Sequence, residues 1–327
     1  MLCKRCVLPE NKPDIVLNAE GICNICLDFQ KNNAAEPRPA ALESEVIKIL
    51  NKYKGKGKYD CLVMCSGGKD STSSLYYMKK RYKMNPLVFT FDHGFENEEA
   101  LENIKNAVNI LGVDWLYYRS DSMKKIFTHI LKSRTKAPIC HLCAIWYLGL
   151  TLETARQQNT PLIVAGWTKG QSLGKADSGL EYRAMSGATG DFVKHYLRKI
   201  PEYKDFPVSI GEALKRSRGR IKAEIISPHW FLEYDPAGAK SILEKELNWK
   251  AQKLSYPKGS TNCLMNFVNV YLSMKNYGYS HYHIEMSKLI RLGELSRQEA
   301  LRMLEIDFDR GFVGDIIKGL NCGLPAD

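Results

Sequence analysis

Residues 65–72 read Cys-Ser-Gly-Gly-Lys-Asp-Ser-Thr and follow directly on the apolar run Cys61-Leu-Val-Met64. A short buried strand that empties into a glycine loop and then a helix restricts the fold more than any other stretch. Gly67 and Gly68 let the backbone curl, and Ser71 and Thr72 open a helix predicted over 72–82. Free amides at a helix N-terminus, beside small residues that permit close approach, form a cradle for phosphate oxygens. The loop is not Gly-x-x-x-x-Gly-Lys-[Ser/Thr], because Lys69 is followed by Asp70. An ordinary glycine turn is the alternative.

The remaining pattern extends this first unit into a sheet. Apolar strands are predicted at 60–65, 86–92, 114–118 and 161–166, and Ala223-Glu-Ile-Ile-Ser reads as a further one. Helical spacing fills the gaps at 72–82, 97–111, 122–132 and 144–158. Alternation with near-continuous apolar strands predicts an α/β fold, a doubly wound parallel sheet covered on both faces. Ligands in such sheets sit beyond the carboxyl ends of the strands, where Ser66–Ser71 falls. Four segments follow: a cysteine-bearing unit at 1–30, a helical linker at 31–58, the sheet domain at 59–230, and a mainly helical region at 231–327. The linker joins the Pro-rich stretch 32–39 to a helix at 40–53, with Leu42, Val46, Ile47 and Leu50 at helical spacing, and the hinge Lys54-Gly-Lys-Gly-Lys58.

The chain has 327 residues, 44% of them hydrophobic and 25% charged, which are ordinary globular values. No apolar run approaches the roughly 20 residues that span a bilayer. Met-Leu-Cys-Lys-Arg-Cys lacks the apolar core of a secretory signal, so a cytoplasmic location without membrane association is expected. A net charge of +11 favours phosphate-rich partners. The charge concentrates in Arg198, Lys199, Lys204, Lys215, Arg216, Arg218 and Arg220, a segment that reads either as a solvated helix face or as a thin RNA track.

Ten cysteines in such a chain are not expected to form disulfides. Cys3-x-x-Cys6 and Cys23-x-x-Cys26, separated by 16 residues, match a four-cysteine zinc ribbon. Two knuckles supply a closed tetrahedron of thiolates, and metal would provide much of the folding energy of so small a unit. Its role is then scaffold or docking. Cys140-His-Leu-Cys143 opens a helix, where thiolates are favoured, and Cys263 is a distant third ligand. Two close cysteines and one far cysteine suggest a cluster held at three irons with the fourth open. A reactive Cys140/Cys143 thiol pair, or helix packing alone, are the alternatives. Cys61 and Cys65 read as small core residues, and Cys322 as inert.

Other groups carry weaker signals. Asp70 suits either a Mg²⁺ ligand or a helix cap, and Lys69 suits pyrophosphate or solvent. Asp92 and, more weakly, His93 end the second strand at the ligand edge, as do Gly166 and Lys169 after the fourth. His281 and His283 alternate as in an extended stretch, packed or solvated. Arg291 reads as a surface salt bridge.

Ser66-Gly-Gly-Lys-Asp-Ser71 resembles the PP-loop of the N-type ATP pyrophosphatases, which cleave ATP to AMP and pyrophosphate. Cys3-Lys-Arg-Cys-Val-Leu-Pro, Gly21-Ile-Cys-Asn-Ile-Cys and Ile290-Arg-Leu-Gly-Glu-Leu-Ser-Arg-Gln-Glu-Ala are similar to the N-acetyl sugar amidotransferase-like branch. The trio Cys140, Cys143 and Cys263 instead resembles iron–sulfur-dependent tRNA thiolases. Those thiolases carry a Gly-His-x-x-Asp-Asp-like motif where this chain has Gly166-Trp-Thr-Lys-Gly-Gln, and a second zinc knuckle near the C-terminus that this chain lacks. The resemblance implies ATP and Mg²⁺ on Ser66, Gly67, Gly68, Lys69, Asp70, Ser71 and Thr72, with Asp92, Gly166 and Lys169 near the nucleotide. It also implies Zn²⁺ on the ribbon and a [4Fe-4S] cluster on the trio. The implied reaction is adenylation of a substrate oxygen, with Lys69, Asp70, Cys140 and Cys143 as catalytic groups, followed by its replacement. Sulfur from a donor and ammonia from a partner glutaminase are the two candidate nucleophiles, sulfur being favoured. A small-molecule or nucleotide-like substrate is expected ahead of tRNA, a homodimer is allowed, and a non-catalytic nucleic-acid-binding protein is the reading from another class.

Overall fold

The computed structural model describes residues 1–32, 39–172, 178–233, 235–259, 262–320 and 322–324. The proline-rich stretch of the linker lies largely outside the described residues. Five strands form one sheet in the order β3-β2-β1-β4-β5, with every neighbouring pair parallel. They are β1 (Cys61–Met64), β2 (Pro86–Asp92), β3 (Asp114–Arg119), β4 (Leu162–Val164) and β5 (Glu224–Ile226). The helices are α1 (Asn24–Asn32), α2 (Pro39–Asn51), α3 (Lys69–Tyr76), α4 (Glu98–Leu111), α5 (Ser122–Ser133), α6 (Ile139–Gln157), α7 (Leu180–His195) and α8 (Ile210–Ser217). After β5 come α9 (Pro236–Leu247), α10 (Met265–Tyr277), α11 (His281–Arg291), α12 (Arg297–Met303) and α13 (Arg310–Ile317).

The period-2 alternation of a strand divides β1 between two cores. Cys61, Val63 and Cys65 face a cluster with Leu75, Ile104, Val108 and Leu243 from α3, α4 and α9. Leu62 and Met64 face the other way, onto Leu148, Leu152 and Ala155 of α6. Both faces are therefore covered, as the doubly wound reading requires. Each fully buried Leu or Val side chain stabilises the fold by about 1.5–3 kcal/mol. A third cluster joins α5, α6 and α7 to α10 and α13, so the C-terminal helices close over one face of the sheet domain.

Several local expectations change. The first helix begins at Lys69, three residues early, because Gly68 adopts the extended backbone of an N-cap. A π-helical turn at Tyr77–Arg81 completes it. β3 is not a buried apolar strand: it is the sheet edge, and Leu116, Tyr117 and Tyr118 are exposed. α6 starts at Ile139 rather than 144, with Pro138 as its extended N-cap. His281 and His283 lie in the first turn of α11, where Ser280 and His283 form a capping box. Arg291 is not on the surface; its side chain is 2% exposed and pairs with equally buried Glu181 at 3.1 Å. The Cys-rich unit packs through Ile25, Leu8 and Ile15 onto Met185, Tyr279 and Ile284. No helix among the described residues is long and apolar enough to cross a membrane.

Candidate functional site

The loop between β1 and α3 is held from behind. Gly67 has φ +78°, and a Cβ there would lie 2.0 Å from the Ala100 carbonyl oxygen, so no larger residue fits. Its own carbonyl accepts hydrogen bonds from Trp249 Nε1 (2.9 Å), Asn103 Nδ2 (3.3 Å) and Gln252 Nε2 (3.3 Å). Ser71 Oγ accepts from the Ser66 amide at 3.2 Å and donates to the Gly68 carbonyl at 3.2 Å, tying the two ends of the loop. Gly166 closes the cradle from β4, since a Cβ there would come within 2.5 Å of the Ser71 backbone. Gly68, the N-cap of α3, has no side chain to satisfy the first-turn amides. Those amides and the positive end of the helix dipole suit phosphate oxygens.

The charged groups around the loop are distributed unequally. Lys69 and Asp70 form an ion pair with each other. Lys69 lines a cleft of about 1070 Å³ with Lys240, Lys253 and Lys258, and a second of about 870 Å³ with Asp70, Thr168, Tyr282 and Glu285. Thr72 is fully buried and its hydroxyl has no partner, so its side chain faces the core rather than the cradle. Asp92 turns toward the edge strand: its carboxylate takes hydrogen bonds from Tyr117 and the Gly94 amide and lies 3.8 Å from Arg119. Lys169 is paired with Glu294, and both side chains are largely buried. Two residues expected at the nucleotide, Asp92 and Lys169, thus already have internal partners.

Of the three separate cysteines, Cys143 and Cys263 pack against the same core cluster. Cys140 and Cys143 lie one turn apart at the start of α6, where the Cys140 amide donates to Asn269 Oδ1 of α10 at 3.2 Å. Cys263 arrives on an extended segment that pairs antiparallel with Glu96. The Asn97 amide donates to the Asn262 carbonyl (2.8 Å), and the Leu264 amide to the Phe95 carbonyl (2.9 Å). Burial and the negative charge of Glu96 push the Cys140 thiol up to about 12. Burial raises Cys143 and Cys263 further; Cys143 also feels Cys140 and Glu96, and Cys263 feels Glu96 and both other thiols. The helix N-terminus was expected to favour thiolates; burial outweighs it here.

Sequence reading missed Glu96 and Asn262 and undervalued His93. Cys263 Sγ lies 3.5 Å from His93 Nε2, and that nitrogen lies 3.2 Å from Glu96 Oε1. Asn262 Nδ2 donates to Glu96 Oε2 at 2.7 Å, while its Oδ1 lies 3.5 Å from where a Cβ on Gly68 would be. The cysteine centre and the phosphate loop therefore share a wall. Burial raises the Glu96 carboxyl to about 8 and lowers His93 to about 4. Nothing in Phe95-Glu-Asn-Glu-Glu distinguishes Glu96 from an acid at an ordinary helix start.

At the N-terminus the sulfurs of Cys3, Cys6, Cys23 and Cys26 all lie within 4.8 Å of one another, with Cys6 and Cys23 3.8 Å apart. Hydrogen bonds, from Cys23 above all, hold Cys3 far below the usual thiol range, and similar bonds bring Cys6 to about 7. Cys26 is raised, chiefly through its hydrogen bond with Cys23. Four sulfurs converging this closely are the donor set of a tetrahedral divalent site, and they fit Zn²⁺. Arg297 fastens the knuckle from α12, with Nε 2.9 Å from the Cys6 carbonyl and Nη2 3.1 Å from that of Cys3. The Val7 amide donates to Ser287 Oγ on α11 at 3.2 Å.

The basic segment is mostly displayed: Lys199, Lys204, Lys215, Arg218 and Arg220 are exposed, while two of its arginines are held internally. Arg198 and Arg216 both bind Glu212, at 3.0 and 2.6 Å, and Arg198 Nε also donates to the Phe206 carbonyl. Cys61 and Cys65 are buried in the sheet core, and Cys322 packs at the edge of the α5–α13 cluster.

No protein-family model matches the chain. The uncharacterised protein MJ1599 of Methanocaldococcus jannaschii is 29% identical over 308 residues, which cover 93% of each chain. Among solved structures the chain is similar to the U34-tRNA thiolase NcsA from Methanococcus maripaludis, determined with its [4Fe-4S] cluster. The identity is 16%, 90% of this chain and 88% of that one are covered, and the TM-score is 0.38. It is also similar to NMN synthetase from Francisella tularensis (10% identity, 89% and 99% covered, TM-score 0.39). NH3-dependent NAD synthetase from Campylobacter jejuni is a further structural relative (14% identity, 56% and 95% covered, TM-score 0.33).

Proposed function

We propose that the chain is a PP-loop ATP pyrophosphatase that adenylates an oxygen of a small molecule or nucleobase and replaces it with sulfur. The observation that carries this reading is the shared wall: Asn262 touches Glu96 of the cysteine centre and flanks Gly68 of the loop. A centre 120 residues apart in sequence between Cys143 and Cys263 is brought beside the activating loop.

The uncapped amides of the first turn of α3 would hold the phosphates, with Lys69 neutralising charge and Asp70 available to Mg²⁺ once the two separate. The substrate oxygen attacks the α-phosphorus and pyrophosphate leaves. Hydrosulfide then displaces the activated oxygen, which departs as AMP, with no change of oxidation state. Cys140, Cys143 and Cys263 would hold an iron–sulfur cluster, whose chemistry is to present sulfur as a nucleophile. The donor set fits: three half-buried thiols, with the Glu96 carboxylate beside Cys263, are the soft ligand type that holds iron–sulfur clusters. The protein's contribution is otherwise positioning and charge neutralisation.

Anaerobic purification with iron, sulfide and zinc analysis tests this, alongside AMP release with hydrosulfide or ammonia as nucleophile. The expected result is about one zinc on the ribbon, a visible absorption band lost in Cys140→Ser, and sulfur incorporation. Ammonia-dependent turnover by iron-free protein would replace sulfur with nitrogen and call for a glutaminase partner.

A further inference from the structure

We propose that Glu96 is the fourth protein ligand of the cysteine centre, a carboxylate on the corner that Cys140, Cys143 and Cys263 leave open. The inference rests on the cluster reading and adds a residue that three cysteines alone do not supply.

Position is the first argument. Glu96 sits opposite Cys263 in the antiparallel bridge, and its carboxylate, the His93 ring and Cys263 Sγ all lie within 4.8 Å of one another. Its side chain is 9% exposed. Phe95, the residue before Glu96, lies in the core cluster against which Cys143 and Cys263 both pack. Asp92, the next acid, is turned away to Tyr117 and Arg119.

The surrounding hydrogen bonds are the second argument. His93 is 3% exposed, and its Nδ1 is buried without a partner. Its Nε2 lies 3.2 Å from Glu96 Oε1 and 3.5 Å from Cys263 Sγ. Asn262 donates to Oε2 from the other side. The Asn262 donor and the neighbouring His93 ring orient the carboxylate, which is the way second-layer groups position a ligand. An oxygen ligand is harder than thiolate and is the easiest of the four for incoming sulfur to displace. Asn262, which bonds Glu96, also flanks Gly68 of the phosphate loop.

The test uses full-length protein reconstituted anaerobically with ⁵⁷Fe and sulfide, as wild type, Glu96→Gln, Glu96→Ala and Cys140→Ser. Mössbauer spectra of the wild type, which depend on no variant folding, are expected to show one iron with oxygen ligation. On mild oxidation, EPR is expected to show loss of the fourth iron roughly tenfold faster in Glu96→Gln and Glu96→Ala, with zinc content unchanged. Equal rates, or four equivalent sulfur-ligated irons in the wild type, would overturn the role of Glu96 while leaving the cluster intact. A wild type that takes up no iron overturns the cluster reading and Glu96 with it. A single ion retained in Cys140→Ser would place the metal on His93, Glu96 and Cys263 alone and overturn both.

Discussion

The two cysteine centres are built by opposite routes. The N-terminal set is local: all four sulfurs come from residues 3–26, and two Cys-x-x-Cys knuckles bring them within 4.8 Å. The second, proposed set draws on the whole fold, since α6 contributes Cys140 and Cys143, the segment before α10 contributes Cys263, and the segment between β2 and α4 contributes Glu96. A closed local set suits structure, because nothing is left to exchange. A set assembled across the fold at the ligand edge of the sheet, with a carboxylate among its thiols, suits chemistry. The distinction predicts that the two centres fail independently.

The largest effect is expected at the ribbon. Cys23→Ser should cost about 5 kcal/mol or more, because metal binding supplies the folding energy of this unit, and thermal unfolding with limited proteolysis of residues 1–30 checks it. Iron content should be retained; its loss would show that the centres are coupled through α11 and would break the contrast. Gly67→Ala comes next, at about 3 kcal/mol, from the overlap with Ala100 and the left-handed backbone. Denaturant unfolding should show the loss with zinc stoichiometry intact. Lys69→Ala should slow AMP formation roughly 100-fold, about 2.7 kcal/mol of transition-state stabilisation, and leave both metals in place. Normal turnover would remove the loop from the reaction.

The smallest effect sharpens the contrast between carboxylates that need a cation and those that do not. Burial raises Glu285 to about 7 from an ordinary 4.5, against hydrogen bonds from Thr168 and Gln171. The folded state then holds its proton more tightly than the unfolded state. Stability is full below about pH 4.5 and falls as pH rises toward 7. Glu285→Gln should flatten that slope, removing about 2 kcal/mol of pH dependence after allowance for partial exposure. An unchanged profile of unfolding midpoint against pH would show that Glu285 does not control it.

The legible parts are those whose physics is short-range. β1, the glycine loop and α3 are one continuous stretch, so the strand period, the glycines and the helix start speak together. The ribbon is legible for the same reason. Arg291 was misread because a single cation at helical spacing looks like a surface charge, and only the packing of α11 against α7 buries it beside Glu181. Lys169 and Asp92 stand at the edge where ligands bind, but their partners Glu294 and Tyr117 come from other parts of the chain. Spacing along a sequence carries no information about such pairings.

Sequence alone therefore determined the wound sheet, the phosphate cradle and the four-sulfur ribbon, because each rests on backbone geometry and ligand spacing within one segment. Tertiary structure decided that Glu96 and His93 stand beside Cys263, and that Asn262 bonds Glu96 while flanking the loop. Those contacts depend on how the segment between β2 and α4 and the segment before α10 pack, and packing is set by the whole core rather than by any local pattern.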